Sequence, residues 1–169
     1  MHIFLTGGVN IGKSTIINKV ICNILHDLTI RIAGLKTYIG KNNNIYMSSW
    51  NNKRPCKNYI IGIKKNNHAI GFTETFDSLG VKILENGQHA QLIIIDELGF
   101  LENKAISFQN KCLDLINKNT PILGVIKEKK IDWLEKIKTH PNVELITVTK
   151  DNRNELVSLV TNKVINLLK

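Results

Sequence analysis

The sequence predicts a doubly wound α/β fold with a mostly parallel β-sheet. Short aliphatic runs alternate with segments that carry apolar residues at helical spacing along most of the 169 residues. Four consecutive aliphatic residues precede Asp96, and such a run without alternation is typical of a strand buried on both faces. A glycine-rich turn joins the first strand to the first helix. Because ligands bind at the carboxyl ends of the strands in such sheets, we expect the functional site there.

Each element follows from a local pattern. Unbroken aliphatic runs predict buried strands, and apolar residues three and four apart predict helices. The predicted strands are Ile3–Leu5, Ile30–Leu35 ending near Gly34, Leu92–Ile95, Ile122–Ile126 and Val143–Val148. The predicted helices are Lys13–Asp27, Thr75–Glu85, one marked by Phe108, Cys112, Leu115 and Ile116, one marked by Ile131, Leu134 and Ile137, and a last one capped by Asp151 or Asn152.

The segment from Thr37 to Thr73 differs in character. It is rich in Asn, Lys and Gly and contains three β-like runs, which are Asn44–Trp50, Tyr59–Ile63 and His68–Phe72. Residues 64–67, KKNN, are a plausible hairpin turn between the last two runs. So short a piece would bury little on its own, so we interpret it as an antiparallel β excursion of the main sheet. A single domain over residues 1–169 follows.

Composition limits the classes of function. The 23 Lys and Arg residues outnumber the 14 Asp and Glu residues, giving a net charge of +9, but the lysines are scattered and match no nucleic-acid-binding motif. A positive field also steers anionic ligands. No apolar run approaches the length of a membrane span, and no secretory signal opens the chain, so a cytoplasmic protein is expected. The odd count of three cysteines argues against a disulfide framework, and Cys22 and Cys112 are expected in the core.

The first strand leads into a phosphate-binding loop. Gly7, Gly12, Lys13 and Ser14 fit the pattern G-x-x-x-x-G-K-[ST], between a strand and an amphipathic helix. The unpaired amides and positive dipole end of that helix would hold phosphate, and Lys13 would reach the terminal phosphates. The Ser14 hydroxyl would ligate Mg²⁺. The predicted nucleotide-binding residues are Gly7, Gly8, Val9, Asn10, Ile11, Gly12, Lys13, Ser14 and Thr15.

Two carboxylates end the most hydrophobic strand. Asp96 occupies the place of the acidic residue that holds Mg²⁺ through bound water in phosphate-loop enzymes. Glu97 follows it and is the predicted catalytic base, because a glutamate beside the metal-holding aspartate can orient a water molecule and take its proton. A capping role for Asp96 and a solvated Glu97 are the purely structural alternatives. Both motifs lie at strand carboxyl ends, so we expect them to face each other.

Candidates for an arginine finger are few. The sequence contains only Arg31, Arg54 and Arg153, and Arg153 follows a strand carboxyl end on the same side as the glycine loop. The guanine-reading pattern N-K-x-D is incomplete, both at residues 117–120 and at residues 149–151. Broad or adenine-tolerant base specificity is therefore favoured over strict guanine specificity.

Several blocks together resemble a known family, the small P-loop nucleoside-triphosphatases of thermophilic bacteria and archaea with a human cancer-related relative. The glycine loop comes first, and residues 34–37, GLKT, resemble the family's G-F-Y-T turn. Residues 96–102, DELGFLE, are similar to its D-E-I-G-x-M-E. Residues 121–126, PILGVI, resemble its P-V-L-A-x-I, and residues 148–153, VTKDNR, are similar to its V-T-x-E-N-R.

The resemblance implies a three-layer P-loop fold with a RecA-like sheet. It also implies slow, Mg²⁺-dependent hydrolysis of ATP, GTP and other nucleoside triphosphates to diphosphates, with Glu97 catalytic and with Glu102 and Arg153 near the nucleotide. The chain departs from the family between residues 37 and 73, where the E-x-R-x-x-G-x-R-x-G-F pattern is missing. That segment is therefore a candidate surface for a different ligand or a protein partner.

Two alternatives stay open at this point. The same loop and metal could transfer the γ-phosphate to a small acceptor, or the chain could be a nucleotide-binding switch with little turnover. A kinase usually needs an arginine-bearing lid, which this arginine-poor chain fits badly. We expect nucleoside triphosphates as ligands, no membrane association and a monomer.

Overall fold

Strands and helices alternate along the chain as expected. The structure is a computed structural model that describes residues 1–51, 59–66, 68–87 and 89–169. Its strands are β1 (His2–Thr6), β2 (Ile32–Ile39), β3 (Asn44–Ser49), β4 (Ile60–Lys65), β5 (His68–Gly71), β6 (Leu92–Leu98), β7 (Ile122–Ile126) and β8 (Val143–Thr147). Its helices are α1 (Lys13–Asp27), α2 (Thr73–Thr75), α3 (Val81–Glu85), α4 (Ile106–Ile116), α5 (Asp132–Lys138) and α6 (Glu155–Leu168).

The described strands form one mixed sheet in the order β5-β4-β3-β2-β6-β7-β1-β8. The pairs from β2 to β8 along this order are parallel. At the other end of this order, β3, β4 and β5 continue the sheet from β2 in antiparallel pairs. This pairing confirms that the excursion extends the main sheet. The strand that precedes the glycine loop, β1, is thus flanked on both sides by parallel strands.

Two apolar layers cover the sheet, one on each face. Along β6, Ile93 and Ile95 join the layer that includes Phe108 of α4, whereas Leu92 and Ile94 join the layer that includes α1 and α6. All four strand residues are buried, as expected for a strand covered on both faces. The result is the predicted three-layer α/β architecture.

Some element boundaries differ from the sequence prediction. The second strand continues past Gly34 to Ile39, because Thr37, Tyr38 and Ile39 pair with β3. The predicted helix at residues 75–85 begins at Thr73 and contains a π-helical turn at Phe76–Gly80. In the hairpin, Lys64 and Lys65 belong to β4, so they are not turn residues.

The start of the last helix was predicted wrongly. The helix begins at Glu155, and the cap position is held by Asn154. The side chain of Asn152 accepts a hydrogen bond from the Thr149 amide at 2.8 Å and donates one to the Thr147 carbonyl at 2.9 Å. These contacts close the loop after β8, and the side chain is therefore not used to cap a helix.

The cysteines divide between surface and core. Cys112 is buried, as predicted, but Cys22 is exposed on α1, because it lies outside the apolar stripe formed by Val20, Ile21 and Ile24. Cys56 and Arg54 lie outside the described residues. Among the helices of the described ranges, none is both long and apolar enough to cross a membrane.

Candidate active site

The glycine loop connects β1 to α1 at the carboxyl edge of the parallel strands. Gly7 and Gly12 have φ angles of +133° and +106°, in the region that favours glycine. A Cβ at Gly7 would also meet the Val148 carbonyl oxygen at 2.5 Å. α1 begins directly after Gly12 without a side-chain cap, so its first amides have no side-chain partner. The loop therefore presents free backbone donors at a helix N-terminus, where an anion binds well.

Lys13 is held inside this loop. Its side chain is only 7% exposed, and its Nζ donates to the carbonyl oxygens of Gly7 at 2.7 Å and Gly8 at 2.6 Å. Both partners are neutral carbonyl oxygens, so these two hydrogen bonds do not cancel the positive charge of Lys13. An anion that enters the loop gains this charge as an added attraction.

Ser14 in the first turn of α1 contacts Asp96 near the carboxyl end of β6. The Ser14 hydroxyl donates to Asp96 Oδ1 at 3.0 Å. Burial raises the pKa of Asp96 to about 6; the Ser14 hydrogen bond opposes this rise, the neighbouring Glu97 adds to it, and Lys13 opposes it. The predicted proximity of glycine loop and acidic strand end is therefore present as a direct contact.

Glu97 faces the same cavity as the glycine loop. Its Oε1 forms an ion pair with Lys127 Nζ at 3.0 Å, and both side chains are about one-third exposed. The cavity has a volume of about 570 Å³. It is lined by all nine predicted loop residues (7–15) and by Ile39, Glu97, Lys127, Glu128 and Lys129.

Glu102 lies behind Glu97, outside the loop cavity. Its carboxylate accepts the Gly99 amide at 3.1 and 3.2 Å, and the residue is 3% exposed. Burial raises the pKa of Glu102 to about 7, and hydrogen bonds from backbone amides oppose that rise. With Glu97 and Lys127 it lines a separate cavity of about 20 Å³.

The arginines do not join Glu97 in the described structure. Arg153 lines a second cavity of about 240 Å³ with Gly12 and Thr15, on the loop's other flank. Arg31 directly precedes β2, at the amino ends of the parallel strands and away from the glycine loop, and its Nε donates to the His89 carbonyl. Arg54 lies outside the described residues.

Sequence reasoning missed Lys127 and Lys129. Both follow β7, the strand between β6 and β1, so they emerge between Glu97 and the glycine loop. The strand-end rule that singled out Asp96 could have found them, because residues 127–130 follow an equally buried strand. Scattered lysines elsewhere in the chain hid this signal.

The three-layer α/β fold, with a glycine loop between β1 and α1, defines the class of P-loop nucleoside-triphosphatases. A family model described as NTPase matches residues 2–161. The chain therefore belongs to this nucleoside-triphosphatase family, which confirms the predicted resemblance and the predicted class of enzyme.

Individual relatives agree with this assignment. The nucleoside-triphosphatase THEP1 of Methanocaldococcus jannaschii is 30% identical over 177 residues, covering 100% of both chains. The crystal structure of THEP1 from Aquifex aeolicus superposes with a TM-score of 0.79 over 97% of this chain and 99% of that chain, at 20% identity. The solution structure of a human cancer-related nucleoside triphosphatase gives 0.74 over 96% of each chain, at 24% identity. At these identities the two structures support the P-loop fold.

Proposed function

We propose that the chain is a Mg²⁺-dependent enzyme that hydrolyses several nucleoside triphosphates to the diphosphate and inorganic phosphate. The observation that carries the proposal is that Glu97 and the whole glycine loop line one cavity. A carboxylate therefore faces the place where a bound triphosphate would present its terminal phosphate. The family membership supports nucleoside triphosphates as the substrate class.

The loop would bind the phosphate chain. Backbone amides at the start of α1 would donate to phosphate oxygens, and Gly7 and Gly12 permit the backbone angles that this requires. Lys13 would exchange its carbonyl partners for phosphate oxygens, which are charged and therefore stronger acceptors.

Ser14 and Asp96 fit a magnesium ion by the chemistry of their donors. Two oxygen ligands stand in direct contact, and the described residues contain no group of three or more His, Cys, Asp or Glu side chains that could form a closed metal site. Mg²⁺ suits such a place because it takes few protein ligands and keeps water and substrate phosphate in its shell. When bound, it would neutralise charge on the phosphates.

Glu97 would act as the general base. A water oxygen attacks the γ-phosphorus, the bond to the β–γ bridging oxygen breaks, and its electron pair leaves with the diphosphate. The Glu97 carboxylate accepts the water proton and then releases it to solvent. General bases contribute roughly 10² to 10⁴ in rate, so loss of the carboxylate should slow turnover by a factor in that range.

Broad base specificity is supported by the loop after β8. Asn152, which has no N-K-x-D pattern around it, uses its amide to hold Thr147 and Thr149 and is not free to read a base. Arg153 and Thr15 line the cavity on that flank, so we propose that this cavity receives the ribose and base. The monomeric state, the cytoplasmic location and a partner at residues 37–73 stay predictions.

Phosphate release tests the proposal. The parent protein should release phosphate from ATP, GTP, CTP and UTP with Mg²⁺, and release should stop when Mg²⁺ is chelated. Release that needs an added acceptor would instead assign a phosphotransferase. Tight binding of all four nucleotides without release would assign a nucleotide switch.

A further inference from the structure

The cavity that holds the glycine loop contains cations but no arginine in the described part of the chain. Its lysines are Lys13, Lys127 and Lys129. Lys13 is tied to the loop's own carbonyls, whereas Lys127 is paired with Glu97. Lys127 therefore contacts the proposed general base before any triphosphate binds.

The fold brings Lys127 to Glu97 through neighbouring strands. β7 lies between β6 and β1, and the Lys127 amide donates to the Leu98 carbonyl at 3.0 Å. This bond fixes the backbone of Lys127 beside the end of β6. The side chain contacts Glu97 and lines the same cavity as the glycine loop.

Gly99 and Phe100 guide the stem of the lysine. A Cβ at Gly99 would stand 3.0 Å from the Lys127 Cδ, so the aliphatic stem passes directly over that glycine. The Lys127 Nζ is 5.0 Å from the centroid of the Phe100 ring, within the range of a cation–π contact. The stem is therefore restrained as far as Cδ, and rotation about the Cδ–Cε bond can still move the ammonium group.

The ion pair itself is easily exchanged. Lys127 and Glu97 are 32% and 29% exposed, and pairs with this much solvent contact are weak. A terminal phosphate carries more negative charge and more acceptor oxygens than one carboxylate. Of the two possible partners, the phosphate is the stronger.

We propose that Lys127 is a further catalytic residue, which pairs with Glu97 in the nucleotide-free enzyme and moves to the γ-phosphate when a triphosphate binds. The exchange places a positive charge on the phosphate and frees the Glu97 carboxylate to accept the proton of the attacking water. Lys127 keeps its own proton throughout. This inference rests on the proposed hydrolysis, and it assigns to a lysine of this chain the charge that an arginine finger would supply.

A binding measurement separates this role from a structural one. ADP lacks the γ-phosphate, so Lys127→Ala should leave its Kd within about twofold and weaken the non-hydrolysable analogue adenylyl imidodiphosphate about tenfold, both with Mg²⁺. Lys127→Arg should restore most of the triphosphate affinity. Equal weakening of both nucleotides, or of neither, would overturn the proposal.

The same change in a Glu97→Gln background identifies the partner of Lys127. If Lys127 only positions Glu97, its removal has no further effect on analogue binding once the carboxylate is gone. The proposal predicts that the tenfold loss persists in the double variant. Loss of the effect in that background would assign Lys127 to Glu97 alone and contradict the contact with phosphate.

Turnover completes the experiment. At saturating ATP and Mg²⁺, Lys127→Ala should lower kcat about 100-fold, while the neighbouring exposed Lys130→Ala should not. A parent protein without phosphate release would defeat the proposed hydrolysis, yet the comparison of the two nucleotides would still test Lys127. A parent that turns over while Lys127→Ala matches its rate would defeat the inference and leave the hydrolysis standing.

Discussion

The Ser14 hydroxyl donates a hydrogen bond of 3.0 Å to the Asp96 carboxylate, although 82 positions separate the two residues in the chain. The contact joins the first turn of α1 to the carboxyl end of β6. Two oxygen ligands of the proposed magnesium site are thereby assembled before any substrate binds.

Removal of either partner should raise the magnesium requirement. Ser14→Ala deletes one proposed ligand and Asp96→Asn removes the negative charge, so the Mg²⁺ concentration for half-maximal phosphate release should rise by about tenfold or more. Ser158→Ala on the exposed surface of α6 is the matched control. An unchanged magnesium titration in Asp96→Asn would show that the metal binds elsewhere.

Lys13→Ala should weaken nucleotide binding. The variant loses a charge-assisted contact to phosphate, and such a contact is typically about 1.5–3 kcal/mol, so the Kd for ADP with Mg²⁺ should rise between about tenfold and 100-fold. Fluorescent-nucleotide titration measures it. Lys82→Ala, on an exposed helix face far from the loop, should retain the parent Kd. Equal affinities in the two variants would remove Lys13 from the phosphate site.

Arg153→Ala should act on binding rather than on chemistry. The arginine lines the flank cavity with Thr15 and not the cavity of Glu97, so KM should rise several-fold while kcat stays within about twofold. Arg31→Ala, at the amino ends of the parallel strands, should change neither parameter. A fall in kcat at constant KM would instead make Arg153 the arginine finger.

Glu102→Gln should change how stability depends on pH. Burial raises the pKa of Glu102 from 4.5 to about 7, so the folded state binds its proton more tightly than the unfolded chain does. The resulting stabilisation is complete below pH 4.5 and is lost as the pH rises through 7. A glutamine cannot ionise, and its amide oxygen can still accept the Gly99 amide.

Urea unfolding of both proteins at pH 5 and pH 8 measures this effect. Relative to the parent, Glu102→Gln should gain on the order of 2 kcal/mol between the two pH values, at about 1.4 kcal/mol per pKa unit. Asp114→Asn, an exposed carboxylate of α4, should gain nothing comparable. A parallel pH dependence in parent and Glu102→Gln would mean that the buried carboxyl does not titrate in this range.

Local patterns predicted most of the fold. The bounds of α1 and β7 match the prediction, because each depends on an apolar pattern and on terminal signals close in the chain. The extent of β2 did not, because its last residues are strand only through their pairing with β3. The π-helical turn before α3 had no local signal either.

The contacts of the candidate site also differ in whether the sequence could predict them. The glycine loop and Asp96 could be brought together from sequence, because both follow strands and the strand-end rule places them on one edge. The pairing of Glu97 with Lys127 could not, since it depends on which strand lies between β6 and β1. Only the family resemblance implied that Glu102 lies near the nucleotide. In the structure its carboxylate is buried and accepts a hydrogen bond from the Gly99 amide.

The central claim is that Glu97 takes the proton of the attacking water in the cavity of the glycine loop. The most direct measurement compares Glu97→Gln with the parent for phosphate release at saturating ATP and Mg²⁺, together with the Kd for the non-hydrolysable analogue. We predict a Kd within about twofold of the parent and a rate that falls by roughly 100-fold or more. A Glu97→Gln variant that binds the analogue and releases phosphate at the parent rate would contradict the account.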